Sequence, residues 1–371
     1  MLPHLVCTRC QSTAPAEHPG WHCACGGIFD LETAAAFPRR AIQGRPPTLW
    51  RYREALPIPA EATPVTLGEG LTPLVEWPAL PGTRLKLEYL FPTGSFKDRG
   101  AAVLMTHLAH VGVRSVVEDS SGNAGAAVAA YAAHAGIACR IFVPAATSPG
   151  KLTQIAAYGA TVVPVEGNRE AVAAAARAAA EQSWYASHVF SPYFFQGTKT
   201  FAFEVWEQLG FQAPDTVILP VGHGTLFLGA YLGFRELLAA EAIERLPRLI
   251  GVQAERCSPL AAAWRHQPLA PPQETLAEGI RIAAPDRAPA ILEACRLSEG
   301  ELVSVSEAEI AATLATLCRS GWYVEPTAAA APAAALQLAA SGQLSPHETT
   351  IVPLTGSGLK AGSTIEKVLS H

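Results

Sequence analysis

The sequence predicts an α/β fold: open, mostly parallel sheets with helices on both faces, preceded by a small N-terminal segment of different character. Three observations carry this reading. From Pro64 onward, strand-like and helix-like runs alternate, the order that a parallel sheet with crossover helices requires. Several of the strand-like runs, such as Thr216–Leu219, Leu249–Val252 and Thr350–Leu354, are short and apolar throughout, as strands buried on both faces are. The junctions between strand ends and helix starts are rich in Gly, Ser, Thr and Asn, and such sheets bind ligands at the carboxyl ends of their strands.

Composition narrows the function classes. The chain has 371 residues, of which 49% are hydrophobic and 16% charged. That is long enough for two or three domains and too apolar for a largely disordered chain. A net charge of −5 argues against nucleic acid or an anionic membrane as the main partner. No apolar run approaches the roughly 20 residues a membrane-spanning helix needs. The first residues lack the basic start of a secretory signal, so a cytoplasmic location is expected. Cys139, Cys257, Cys295 and Cys318 then read as buried thiols.

The N-terminal segment carries Cys7-x2-Cys10 and Cys23-x-Cys25. Two such knuckles can converge on one tetrahedral Zn²⁺, with Gly26-Gly27 permitting the turn. The second knuckle is one residue shorter than usual, and His18 and His22 lie close enough to substitute. A ribbon without metal is the competing reading. With so few large apolar residues, metal would supply the folding energy a core cannot. Residues 31–63, rich in Pro and Ala, read as a lead-in.

Arg84–Glu88 alternates like a strand and runs into Pro92-Thr93-Gly94-Ser95-Phe96-Lys97-Asp98-Arg99-Gly100. Ser95 and Asp98 have capping-box spacing, which predicts a helix starting at Ser95 and ending near Gly112. Lys97 then stands in the first turn, where the macrodipole disfavours a cation by roughly 0.3–1 kcal/mol. The neutral amine so favoured is the form that Schiff-base chemistry uses. Arg114–Glu118 reads as a strand, followed by Ser120-Ser121-Gly122-Asn123-Ala124-Gly125 and an Ala-rich helix to Gly136. Ile137–Val143 is a strand. Ser148-Pro149 opens a helix to Gly159, Thr161–Val165 is a strand, and Arg169–Gln182 is a helix. Pro353 places the last strand at a sheet edge or a strand end.

Four loops at strand ends supply chemistry together. The Lys97 loop offers an amine. Ser120–Gly125 offers hydroxyls and N–H groups at a helix start, suited to a carboxylate. Gly222-His223-Gly224-Thr225-Leu226 lets backbone N–H groups close on a phosphate, although it matches neither GxGxxG nor a Walker A. Thr355-Gly356-Ser357-Gly358-Leu359-Lys360 adds a hydroxyl. These are the parts a pyridoxal phosphate site requires.

With these motifs the chain resembles the threonine synthases, enzymes of the tryptophan-synthase-β-like fold that use pyridoxal phosphate. The resemblance rests on Thr-Gly-Ser-Phe-Lys-Asp-Arg-Gly around Lys97, Ser-Gly-Asn-Ala-Gly around Asn123, the Gly-x-Gly-Thr loop and Thr-Gly-x-Gly-Leu-Lys after the last strand. The N-terminal cysteine ribbon is similar to one found in many of them. The resemblance implies two domains of that fold, residues 34–104 with 195–371 as the large one and 105–194 as a small mobile one, behind a ribbon at 1–33. It implies that Lys97 carries the cofactor as an aldimine and that Asn123 bonds its 3′-oxygen. Gly222, His223, Gly224, Thr225 and Leu226 would hold its phosphate, with Thr355 against the pyridine nitrogen. Ser120, Ser121, Gly122 and Ala124 would line the substrate carboxylate. Glu278-Gly279 and Glu325-Pro326-Thr327 resemble further cofactor-lining segments. A homodimer is also implied.

One stretch departs from the pattern. Threonine synthases hold their substrate phosphate with Asn-Ser-x-Asn-Pro-Tyr-Arg before a Gly-Gln-Lys-Thr turn. Here the stretch reads His188-Val189-Phe190-Ser191-Pro192-Tyr193-Phe194, and the turn Gly197-Thr198-Lys199-Thr200. Phenylalanine cannot grip phosphate as a guanidinium does. The expected pocket is apolar, lined by Phe194, Phe195, Tyr193 and Tyr185, with His188 as a polar contact, an acid/base or a packed ring. The expected function is a lyase or β-replacement enzyme acting on a small amino acid through Lys97 and an aminoacrylate-type intermediate. Threonine synthase proper, with the phosphate held by Lys151, Lys199 or Arg281, is the alternative. A non-catalytic member of the fold that binds a ligand or partner is the second alternative.

Overall fold

The computed structural model describes residues 4–147 and 149–370. Ser148, expected to open a helix, and the side chain of Lys151 lie outside what it describes. The chain divides into two compact units, Met1–Leu71 with Lys97–Thr200, and Thr72–Phe96 with Phe201–His371. The expected boundaries lay at 104/105 and 194/195. Helix Lys97–His110 accounts for the difference. It is one rod, packed along its length on helices Asn123–His134 and Pro192–Thr198, so no boundary falls inside it. The preceding segment is tied to it as well, since Val65 N–H donates to Thr106 Oγ1 at 2.8 Å.

The first unit holds a parallel sheet in the order Thr161–Val165, Ala138–Pro144, Ser115–Glu118, Trp184–Tyr185. Three of these strands are the ones read from the sequence. The two-residue strand at Trp184 is too short to show a period. Helix Asn123–His134 is buried from Ala124 to Ala132; its alanines let it lie close to the sheet, and Gly136, at φ +66°, ends it. Asn168 caps helix Arg169–Ala179 by accepting from Ala171 N–H at 3.1 Å. The N-terminal ribbon belongs to this unit. It is an antiparallel sheet in the order Thr13–Pro15, His4–Cys7, Phe29–Glu32. Trp21 seats it, with its ring centroid 4.9 Å from Phe190 and 5.8 Å from Tyr185.

The second unit holds a six-stranded sheet in the order Glu301–Val305, Arg248–Ala254, Thr216–Pro220, Thr350–Pro353, Thr83–Lys86, Leu74–Glu76. All neighbours are parallel except the last pair. Thr350–Pro353 is a central strand, and the proline closes it. Pairing with Thr216–Pro220 stops at Ile351, so the N–H that proline lacks has no ladder bond to make on that side. A fully buried Lys86 donates to Glu204 Oε2 and Gln208 Oε1, both at 2.8 Å, and to the Thr72 carbonyl at 2.6 Å. Removing one partner of such a pair strands the other charge, at a cost of about 3–5 kcal/mol. Among the described residues no helix is long and apolar enough to cross a membrane.

Candidate active site

The helix that carries Lys97 starts at Lys97 itself, two residues later than the capping box predicts. Ser95 does not cap it. The Ser95 hydroxyl is buried with no hydrogen-bond partner, and Ser95 instead forms an isolated bridge with Gly356. Asp98 is buried in the first turn, within 3.5 Å of the Tyr131 hydroxyl, which donates more closely to Glu69 at 2.9 Å. Lys97 keeps its expected place at the positive end of the helix.

In the first unit, the Lys97 ammonium lies 5.8 Å from the centroid of the Phe194 ring. Phe194 is fully buried because two helices cross on glycines. A Cβ on Gly100 would stand 2.2 Å from the Phe194 ring, and a Cβ on Gly197 would stand 2.0 Å from the Arg99 carbonyl oxygen. The expected turn at Gly197–Thr200 is therefore helical, closing helix Pro192–Thr198 and opening Thr200–Gln208. Lys199 is fully buried and reaches Thr33 Oγ1 at 3.5 Å. Arg99 is fully buried too, with Nη1 on Thr200 Oγ1 at 3.0 Å. Tyr193 stacks on His107 at 3.6 Å, and Tyr185 donates to Asp119 at 3.0 Å.

His188 is not simply packed. Its Nδ1 lies 2.6 Å from Glu118 Oε1, and both side chains are buried. The His188 ring meets Phe194 edge-on with centroids 6.1 Å apart. Glu118 ends strand Ser115–Glu118, and the Ser120–Ala124 loop follows directly. Burial, reinforced by the like charge of Asp119, raises the Glu118 carboxyl well above its usual range; Arg169 and Lys97 oppose the rise. Arg169 Nη1 holds Asp119 Oδ2 at 2.7 Å. Neither Glu118 nor Asp119 stands out by motif. The one signal is two carboxylates in succession at the end of an apolar strand. In the loop itself, Gly122 N–H donates to Ser120 Oγ at 3.3 Å. A Cβ on Gly125 would stand 1.9 Å from the Ser120 carbonyl oxygen, so glycine lets the loop fold onto its helix. Asn123 opens that helix.

In the second unit, Gly222–Leu226 joins strand Thr216–Pro220 to helix Thr225–Ala239. The helix has Gly224 at its N-cap, at φ +78°, and no side-chain cap, an anion-binding arrangement. A Cβ on Gly222 would stand 3.0 Å from Ile280 Cα, which fixes the loop against the Glu278-Gly279 segment. Gly279 N–H donates to Thr327 Oγ1 at 3.0 Å, and the Glu325 carboxylate lies against Gly356. These cofactor-lining candidates therefore meet. Thr355 follows the central strand Thr350–Pro353, and its carbonyl accepts from Phe96 N–H at 3.1 Å, one residue before Lys97. The Thr355 hydroxyl is buried and unbonded, like that of Ser95. An unsatisfied buried hydroxyl costs about 1–3 kcal/mol, so one in the loop leading to Lys97 and one in the loop hydrogen-bonded to it fit a polar ligand such as pyridoxal phosphate.

The sulfurs of Cys7, Cys10, Cys23 and Cys25 all lie within 4.8 Å of one another. Closest pairs are 3.5 Å (Cys7–Cys25) and 3.6 Å (Cys10–Cys23), near the separation of about 3.8 Å that four sulfurs at about 2.3 Å from one zinc adopt. Neither His18 nor His22 is needed to complete the set: His18 packs edge-on against Phe29, and His22 Nδ1 lies 2.9 Å from the Cys23 carbonyl.

Comparison with known proteins follows the same lines. A family model described as pyridoxal-phosphate dependent enzyme matches residues 65–356. A protein of Methanocaldococcus jannaschii named threonine synthase is 35% identical, over 95% of this chain and 92% of its own length. One of Mycobacterium leprae, also named threonine synthase, is 37% identical over 87% of this chain and 91% of its own. Among solved structures, a threonine deaminase of T.th. aligns with a TM-score of 0.66 at 29% identity, over 77% of this chain and 92% of that one.

Proposed function

This chain belongs to the pyridoxal-phosphate-dependent enzymes, as a lyase of the threonine-synthase-like kind, and from that premise we propose that it takes the Cα proton from a small amino acid and expels a substituent from its side chain. Its cofactor is pyridoxal phosphate, which supplies the electron sink that makes a Cα–H bond acidic. Lys97 would hold the cofactor through Nζ and, once displaced by substrate, accept the Cα proton. Asn123 would bond the ring 3′-oxygen, and the backbone N–H groups of Gly222–Leu226 would bind the phosphate. Ser120, Ser121, Gly122 and Ala124 would receive the substrate carboxylate, and Thr355 would face the pyridine nitrogen. A hydroxyl there does not protonate the ring as a carboxylic acid would, which favours expulsion of a leaving group over amino transfer. The observation that carries this reading is the buried, unbonded Thr355 hydroxyl in the loop bonded to the residue before Lys97.

The seat of Phe194 supports a substrate without phosphate: an aromatic ring fills the expected place of the clamping arginine, locked against Gly100. A second reading, threonine synthase acting on O-phosphohomoserine, is favoured by the names of the relatives that match most of the chain. Of its three candidate phosphate ligands, the Lys151 side chain lies outside the described residues, Lys199 is buried at Thr33, and Arg281 is paired with Glu274. Assembly as a cytoplasmic homodimer and a structural zinc on the four cysteines complete the proposal.

The test is turnover by the cofactor-loaded enzyme on a panel of O-phosphohomoserine, serine, threonine, O-acetylserine and 2,3-diaminopropionate. Release of the side-chain substituent from a phosphate-free member is expected, with a loss of about 10³-fold or more in Lys97→Ala. Phosphate release from O-phosphohomoserine alone would establish the second reading instead.

A further inference from the structure

We propose that Glu118 and His188 form the proton-donating end of the substrate pocket, and that the substrates are amino acids whose side-chain leaving group is a hydroxyl. The proposal deepens the lyase reading above and rests on it. It starts from a buried pair, which is weak evidence for stability. Replacing a buried ion pair by apolar residues is often neutral or stabilising. Here Glu118 is fully buried at a strand end, its Oε1 is 2.6 Å from His188 Nδ1, and its Oε2 has no hydrogen-bond partner.

The pair sits where chemistry is expected. Glu118 precedes the Ser120–Ala124 loop by two residues. The His188 and Phe194 rings touch edge-on, and Phe194 also faces the Lys97 ammonium. The charged and titratable groups around Glu118 are Asp119 beside it, Arg169 from the helix packed on the sheet, Lys97, Tyr185 and, on the neighbouring strand, Cys139. Arg169 pairs with Asp119 directly, and His188 is the side chain hydrogen-bonded to Glu118. Burial keeps a proton on this pair above the usual carboxylate range.

The leaving group follows from what the pocket offers. Phosphate or chloride departs as an anion and needs a stabilising cation more than a proton. Hydroxyl is a poor leaving group until it is protonated. Beside Lys97 the wall is the Phe194 ring, and the nearby Arg99 guanidinium is committed to Thr200. A buried acid with an apolar wall suits hydroxyl. In the step, Lys97 Nζ takes the Cα proton, and the electron pair of that C–H bond becomes the second bond between Cα and Cβ. The Cβ–O bond breaks with its pair going to oxygen. The His188 Nε2–H proton passes to that oxygen while Glu118 compensates at Nδ1, and water leaves. The pair ends one proton poorer and Lys97 one proton richer.

The experiment compares L-serine and L-threonine with β-chloro-L-alanine, whose chloride needs no proton, in the cofactor-loaded wild type, His188→Gln and Glu118→Gln. The ratio of serine to chloroalanine turnover is expected to fall by on the order of 100-fold in His188→Gln and by a smaller factor in Glu118→Gln. A ratio unchanged within about threefold would mean that the pair only supports the fold, whatever the loss in overall rate. A wild type that turns over chloroalanine but neither hydroxy amino acid would overturn this proposal and leave the lyase reading intact, whereas turnover of O-phosphohomoserine alone would overturn both in favour of the second reading. No turnover of any of them would overturn both. A readout independent of activity is nitrogen NMR of histidine-labelled enzyme, with the His188 signal identified by its loss in His188→Gln. Nε2 is expected to carry a proton at pH 7.5, and the ring to titrate at lower pH in Glu118→Gln. A titration unmoved by that substitution would refute the pairing.

Discussion

Gly100→Ala and Phe194→Ala should each destabilise the first unit, and together they should cost less than their sum. Gly100 lies one helical turn after Lys97. A Cβ there would be 2.2 Å from Cδ1 and Cε1 of Phe194, where ordinary contact begins at 3.4 Å, so the ring would have to retreat by about 1.2 Å. It is fully buried and packed at interior density, with little room to yield. Overpacking of this kind costs about 1–3 kcal/mol, against which alanine regains about 1 kcal/mol of helix propensity. Phe194→Ala leaves a cavity worth about 3–5 kcal/mol. In the double variant the new methyl enters the vacated space, so the coupling should offset about 1–3 kcal/mol. Urea unfolding of the four proteins, followed by tryptophan emission, measures the cycle. Additivity within about 0.5 kcal/mol would show that the two residues do not share this space, and the argument that a glycine crossing holds the aromatic wall beside Lys97 would fall.

Two further outcomes are expected. The ribbon is shorter than the roughly 40 residues below which a domain usually needs metal or disulfides, so the purified protein should carry one zinc per chain. Cys23→Ser should then lose the metal and red-shift the emission of Trp21 as its packing on Tyr185 and Phe190 opens; metal-free protein with unchanged emission would contradict this. His107 is pushed down to about 4, from 6.5, by burial and then by the nearby charge of His110. Its folded form resists protonation, so below pH 6.5 the unfolded chain binds the proton first and stability falls until about pH 4. At about 1.4 kcal/mol per pH unit, the loss is on the order of 3 kcal/mol. His107→Phe, which keeps an aromatic ring against Tyr193, should lose less between pH 7 and 4.5 in the same unfolding assay; an equal acid loss would place it elsewhere.

What local pattern encodes was legible in the chain. The strands at residues 115, 138, 161, 216, 248 and 350 announce themselves because a buried parallel strand must be apolar and must end in turn residues. The lysine at a helix start and the glycine loops were legible because their backbone requirements are met within a few residues. Ser95 shows the limit of that kind of reading. Its spacing to Asp98 fits a capping box, yet its partner is Gly356 across the sheet, a contact no local window contains. The two short strands at Trp184 and Leu74 escaped because neither is long enough to express a period.

The α/β order and the loops proposed to bind the cofactor were therefore legible in the amino-acid sequence alone, since each rests on short-range geometry and a distinctive residue type. The tertiary structure alone decided the rest. It brought Glu118 to His188 across 70 residues and Lys86 to Glu204 across 118, and it crossed two helices at Gly100 and Gly197 so that Phe194 became a fixed wall. Such pairs have no sequence signature, because which buried charge meets which partner depends on how the sheet is threaded. The physical cost of leaving either charge unpaired acts only once that threading has removed both from water.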